Sequence, residues 1–197
     1  IASGSGGSLV FDNGANPAEA IVSVGSHAIT APTGLAGNTS FNVASGSSLS
    51  LEAVSGSGSL TKSGPGTLVF NQNPGHSGGT SIDTGTVALA DGVGISDVAI
   101  GAEGVLEYRG TTSTYVASAF TSGSSGTIRV AEGVLVVPVA SGPVQQSQVV
   151  VASAASVDAI SFVAGYQMPV GQTLRLAGTL TTPLISVFSD NSVGVGD

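Results

Sequence analysis

Apolar and small polar residues alternate along most of the chain, in runs too short to make helices. Between Leu60 and Leu89 the apolar positions fall at Leu60, Leu68, Phe70, Ile82, Val87 and Leu89, with Thr, Ser, Asp or Gly among them. This period of two, cut by Gly pairs and by Pro65, predicts half-buried strands joined by tight corners. Leu9-Val10-Phe11 followed by Asp12-Asn13-Gly14 reads as a strand and a corner, and the same alternation predicts short strands at 21–24, 28–30, 40–43 and 48–51, and again at 98–100, 104–108, 126–130 and 133–139. Residues 148–152 extend it with β-branched side chains suited to a sheet buried on both faces. Asn16-Pro17-Ala18-Glu19 has the composition of a helix start, but no 3.6-residue period continues beyond Ile21, so it reads as a corner.

The spacing of these strands carries more information than their existence. Leu60 precedes Ile82 by 22 residues and Leu68 precedes Leu89 by 21. A chain that returns to the same face at that period lays each strand parallel on the previous one, with rungs about 4.8 Å apart, and buries a column of Leu, Val, Ile and Phe. Residues 141–197 lack the repeated turn residues but still alternate at 172–176 and 179–188, which predicts further rungs. The expectation is one β-solenoid domain over 1–197 with a repeat motif at 58–89. From Arg109 to Gly126 the pattern loosens into Thr, Ser and Gly, which predicts a protruding loop at 109–126, the kind of segment on which solenoids carry recognition. Tyr108, Tyr115 and Phe120 are its candidate recognition surface. In the competing reading, Tyr115, Val116 and Phe120 fold back over an apolar flank.

The central stretch also resembles a known family. Gly58, Leu60, Lys62, Gly64, Gly66 and Leu68, followed by Gly79, Thr80, Ile82, Gly85 and Leu89, stand at the positions of the passenger-associated β-strand repeat of autotransporter proteins. The preceding segments around Leu35 and Leu49 resemble the run-in common in such proteins. One departure is the loop Asn73-Pro74-Gly75-His76, where the family usually carries an Asn and an aromatic residue. The resemblance implies an all-β, right-handed parallel β-helix with roughly 20–22 residues per turn. It also implies a protein exported across the outer membrane to the extracellular space or cell surface. It says almost nothing about activity.

Composition narrows the partners. Four Lys and Arg against twelve Asp and Glu give a net charge of −8, so nucleic acid and anionic lipid are repelled. The apolar run at 134–140 contains Pro138 and is far shorter than the ~18 residues of a membrane span, so no membrane insertion by this segment is expected. The absence of Cys fits a chain that crosses a periplasm unfolded and equally fits a cytoplasmic one.

Candidate chemistry is sparse. His27 and His76 are the only histidines, so a zinc site would need carboxylates to complete it, and His76 reads as a solvated loop residue. Asp12, Asp83, Asp91 and Asp97 read as corner residues, since the Gly-rich nonapeptide of calcium-binding solenoids is missing. Asn38-Thr39-Ser40 fits a glycosylation sequon, a short match of little weight. Glu103 and Glu107 are the nearest pair of acids on one strand, but four strand residues separate them by about 13 Å, too far for paired-carboxylate hydrolysis. Only Lys62, Arg109, Arg129 and Arg175 could bind a uronate, and Lys62 belongs to the repeat motif. No catalytic residue, metal site or cofactor is expected.

Neither end of the alternating pattern carries an amphipathic capping helix. The expectation is therefore that the ends are covered by copies of the chain stacked end to end or by the rest of a longer passenger. Three functions compete. The first is a structural solenoid acting as a surface stalk or self-assembling fibre subunit. The second is an adhesin module binding a glycan or host surface protein, and the third is a polysaccharide-active enzyme.

Overall fold

The computed structural model describes residues 6–116 and 126–136 and, beyond them, strands within 148–195, with side chains described over 6–110 and 126–132. Among the described residues every element is a strand, and every strand pairing is parallel. The chain winds as a β-solenoid whose first coils have three sides. The first side stacks β1 (Leu9–Phe11), β4 (Thr33–Leu35), β7 (Val54–Gly56) and β10 (Gly75–His76). The second stacks β2 (Ala18–Val22), β5 (Thr39–Val43), β8 (Leu60–Ser63) and the opening residues of β11 (Thr80–Leu89) and β12 (Val98–Val116).

The third side is the longest. It runs through β3 (Ser26–Ile29), β6 (Ser48–Leu51), β9 (Thr67–Phe70) and the later parts of β11 and β12. It continues into β13 (Thr127–Val136), β14 (Gln148–Val151), β17 (Thr173–Leu176) and β20 (Ser192–Val195). β15 (Ala155–Asp158) and β18 (Thr179–Thr181) stack on the end of β13, and β16 (Tyr166–Gln167) pairs with β19 (Ile185–Ser186).

In-register pairing makes the core a set of columns. Leu49, Leu68, Val87, Leu106 and Ile128 form one, and Ile29, Leu51, Phe70, Leu89, Tyr108 and Val130 form the next. On the second side, Phe41, Lys62, Ile82 and Ile100 share a column. All of these residues are buried. Phe11 meets Phe41 edge to face across the interior, with ring centroids 5.2 Å apart, tying the first side to the second. Corner amides continue the ladder: Gly58 N–H donates to Leu35 O at 2.9 Å and Gly66 N–H to Val43 O at 2.8 Å. Backbone groups at these turns are thus satisfied by the neighbouring rung.

The alternation placed the second and third sides well, but of the first it found only the strand at Leu9–Phe11. The other strands of that side are two or three residues long and carry Gly and Ser at several positions, too few residues to show a period. Asn16 does not open a helix; its N–H bonds Asn13 O at 3.2 Å in a corner that leads into β2. The predicted loop at 109–126 is also shortened, because β12 runs as strand to Val116 and pairs with β13. Residues 117–125 of that loop lie outside the described residues.

The columns give a direct expectation. Leu68→Ala opens a cavity between Leu49 and Val87 and should cost about 2–5 kcal/mol, whereas Thr67→Ala on the outer surface should stay within about 0.5 kcal/mol. Urea unfolding of the two variants checks the contrast.

Candidate functional site

Lys62 is the chain's single lysine, and it points into the core. Strand alternation puts it on the same side as Leu60, and in its column it lies between Phe41 and Ile82 with no solvent exposure. Its stem packs as a hydrophobe would, and its ammonium reaches the corner that follows β8. There Nζ donates to Ser63 O at 2.7 Å, Gly64 O at 2.6 Å and, one rung on, Thr84 O at 3.2 Å. Three donors meet three carbonyls, so the group is satisfied and joins two coils. The corner leaves room for this only because of glycine. Gly85 has φ +74°, and a Cβ there would strike the Gly64 carbonyl and stand 2.9 Å from Lys62 Nζ. Burial pushes the Lys62 pKa down from 10.5 to about 8.

A second polar cluster lies on the outer surface of the third side. Glu107 is 6% exposed, and its carboxylate accepts from Arg109 Nε, two residues along the same strand. It also forms an ion pair with Nη1 of Arg129, its register partner one rung on, at 3.3 Å. Glu107 is thereby engaged by two guanidiniums and makes no acid pair with exposed Glu103.

The sequence-derived recognition surface does not survive intact. Tyr108 is 1% exposed, in a column between Leu89 and Val130, so it fills the core and presents nothing to a partner. The period of two had already put it on the same side as Leu106; the loosened sequence beyond it drew it outward in the reading. Tyr115 is in β12 opposite Leu135, with its side chain outside the described residues, and Phe120 lies outside them altogether.

His76 is also not a solvated loop residue. It lies in β10 opposite Gly56, half-buried, with Nε2 3.1 Å from Gly79 O and 3.0 Å from Thr80 Oγ1. Nδ1 is buried and has no partner among the described residues. Burial lowers its pKa, with the Gly79 carbonyl opposing the shift. His27 is exposed and bonds Val24 O at 2.8 Å.

The acids behave as corner residues where they are described. Asp12 Oδ1 accepts from Gly14 N–H at 2.9 Å, and Asp83 Oδ1 from Ser81 Oγ at 2.7 Å. Among the described residues no three His, Asp or Glu converge as metal ligands would. Asn38 is tied to the next rung, its Oδ1 accepting from Ser59 Oγ at 2.9 Å.

The geometry around Lys62 is that of a structural repeat, and comparison with known families agrees. Residues 60–89 match the family model described as passenger-associated-transport-repeat. The segment is similar to an autotransporter passenger repeat. No curated protein matches the chain, and no solved structure does. Within the passenger repeat, the buried Lys62, the corner at Gly64 and Gly85, and the columns through Leu60 and Leu68 are one unit, since each supplies what the next requires.

This unit predicts a pH dependence. The unfolded chain holds the Lys62 proton up to about pH 10.5 and the folded chain only to about pH 8. Between those values the unfolded state binds more protons, so stability should rise with pH; below pH 8 both states are charged and the slope vanishes. Lys62→Met leaves three carbonyls without their donor and should cost several times the ~1 kcal/mol of a single hydrogen bond. The difference in denaturation midpoint between wild type and Lys62→Met, followed from pH 7 to pH 10, should grow above pH 8.

Proposed function

We propose that the chain is a structural segment of an exported passenger, serving as a rigid stalk on or beyond the cell surface and not as an enzyme. The observation that carries this reading is the continuity of the third side. From β3 to β20 nine strands pair in unbroken parallel succession, which at rung spacing is a length of about 38 Å. Each rung is held to its neighbours by backbone ladders and by apolar columns, so bending would break many contacts at once. The passenger repeat lies within this stack, where it adds rungs and presents no assembled chemistry.

Rigidity of this kind sets distance. A stalk holds whatever it bears at a fixed separation from its attachment, and its length scales with the number of rungs. The net charge of −8 keeps such rods apart in solution. Negative-stain electron microscopy of the purified chain should show straight rods at least as long as the third-side stack. Compact particles with no long axis would overturn the reading.

A further inference from the structure

The crossings of the first side are pinned to the core by apolar residues. Leu9 and Phe11 do this in the first coil, Leu35 in the second and Val54 in the third, and Val93 and Ile95 do it in the stretch after β11. The crossing at 71–79 is different, because it holds no buried apolar residue. Its only half-buried side chains are Pro74 and His76. Register puts His76 opposite Gly56, Gly56 opposite Leu35 and Leu35 opposite Phe11, so the imidazole takes the inward place of that column. A titratable ring thus stands where the other coils use a hydrophobe.

The contacts of the ring fix its protonation. A carbonyl only accepts, so Nε2, 3.1 Å from Gly79 O, carries the proton. The same oxygen accepts from Leu60 N–H at 3.0 Å, and Nε2 also lies 3.0 Å from Thr80 Oγ1. The ring therefore ties the crossing to the corner that opens β11. Nδ1 is left as a lone pair, buried and with no partner among the described residues. A second proton would place a charged N–H there with nothing to accept it, a costly state for a buried group. The charged groups of the neighbouring elements do not bond the ring. β7 carries none, and Glu52 before it accepts from Asn71 Nδ2 at 3.3 Å and Gln72 Nε2 at 3.1 Å. On β11, exposed Asp83 accepts from Ser81 Oγ, and the Lys62 ammonium on β8 is held by its three carbonyls. Asp97, in the corner one coil on, is exposed and meets Thr80 N–H at 2.9 Å through its backbone carbonyl. Burial lowers the His76 pKa from 6.5, against the opposing pull of the Gly79 carbonyl.

We propose that residues 71–79 form an acid-released flap: neutral His76 latches the crossing to the coil, and the protonated ring lets it go while the rest of the solenoid stays wound. The flap gives up little on opening. It loses the two-residue pairing of β10 with β7, the bond from Ser77 N–H to Gly56 O at 2.9 Å and the bond from Gly94 N–H to Asn73 Oδ1 at 2.8 Å, with no apolar burial to oppose it. Gly78 and Gly79 supply a hinge at its end, Gly79 at φ +78°. β11 does not depend on the flap, since it pairs with β8, β9 and β12. The direction of the switch follows from linkage. Above pH 6.5 the ring is neutral whether the flap is closed or open. As the pH falls through 6.5 the open form takes the proton first, so closure loses stability until the lowered value of the closed form is reached. The flap goes beyond the stalk reading, which stands without it.

The test is hydrogen exchange of the intact chain, read by mass spectrometry at about pH 7.5 and about pH 5 and corrected for the intrinsic pH dependence of exchange. Protection of the peptide spanning 71–79 should fall at the lower pH, by up to about tenfold for each pH unit between 6.5 and the lowered value. Peptides over Thr39–Val43 and Thr67–Phe70 should keep theirs. His76→Leu puts a hydrophobe in the column of Phe11 and Leu35 and should hold the flap closed at both pH values. His76→Gln takes no proton, so its protection should be the same at both, even if lower throughout. His27→Gln removes the exposed histidine and should leave the wild-type response unchanged. Equal protection of 71–79 at both pH values in the wild type, a fall shared by every peptide, or a fall that persists in His76→Leu and His76→Gln would each overturn the proposal.

Discussion

Parallel pairing in register is the constraint on which everything else in this protein rests. It stacks like positions about 4.8 Å apart, so each side chain is judged chiefly by its neighbours one rung above and below. An apolar residue succeeds because the same position in the next coil is apolar, as in the run from Leu49 through Leu68 and Val87 to Leu106. A polar residue inside must find its partner at the corner of its own or the adjoining coil. Lys62 meets that demand with carbonyls from two successive coils. The consequence is a structure whose stability is a sum over neighbouring rungs.

The same constraint separates two uses of charge. Inside, a single ammonium serves as a clamp, and its burial cost is offset by carbonyls that a corner would otherwise leave to water. On the outer face, Glu107 is itself 6% exposed, so the two half-exposed arginines that engage it compensate a carboxylate that would otherwise be buried without a partner. The Lys62 clamp and the Glu107 cluster lie on different sides of the coil, so variants of one leave the other in place.

How much of this was legible in the sequence follows from strand length. The second and third sides were readable because strands of four or five residues, such as Thr39–Val43 and Ser48–Leu51, are long enough to show alternation. On the first side only the all-apolar Leu9–Phe11 was readable, since Gly75–His76 offers only two residues and Val54–Gly56 three, with Gly and Ser among them. That omission explains the misplacement of His76. Tyr108 and Lys62 were legible in principle, because Leu106-Glu-Tyr108 and Leu60-Thr-Lys62 put each on the inward side by period two. Composition argued the other way for both, a Tyr beside a loosened stretch and a Lys by its charge. Corner carbonyls, which make a buried Lys tolerable, cannot be read without the register. The convergence of Glu107 and Arg129, 22 residues apart, likewise required the coil period to be applied from one rung to the next.

The register itself admits a direct test, since the chain has no native cysteine. Thr67 and Thr86 are register partners on the outer surface, within the Cα separation of about 4.4–6.8 Å that a disulfide needs. Thr67 and Thr127 share the column three rungs apart, about 14 Å. Under mild oxidation at high dilution, Thr67→Cys/Thr86→Cys should close an intramolecular bridge and Thr67→Cys/Thr127→Cys should not. Failure of the first pair, or equal closure of both, would contradict the stacked solenoid.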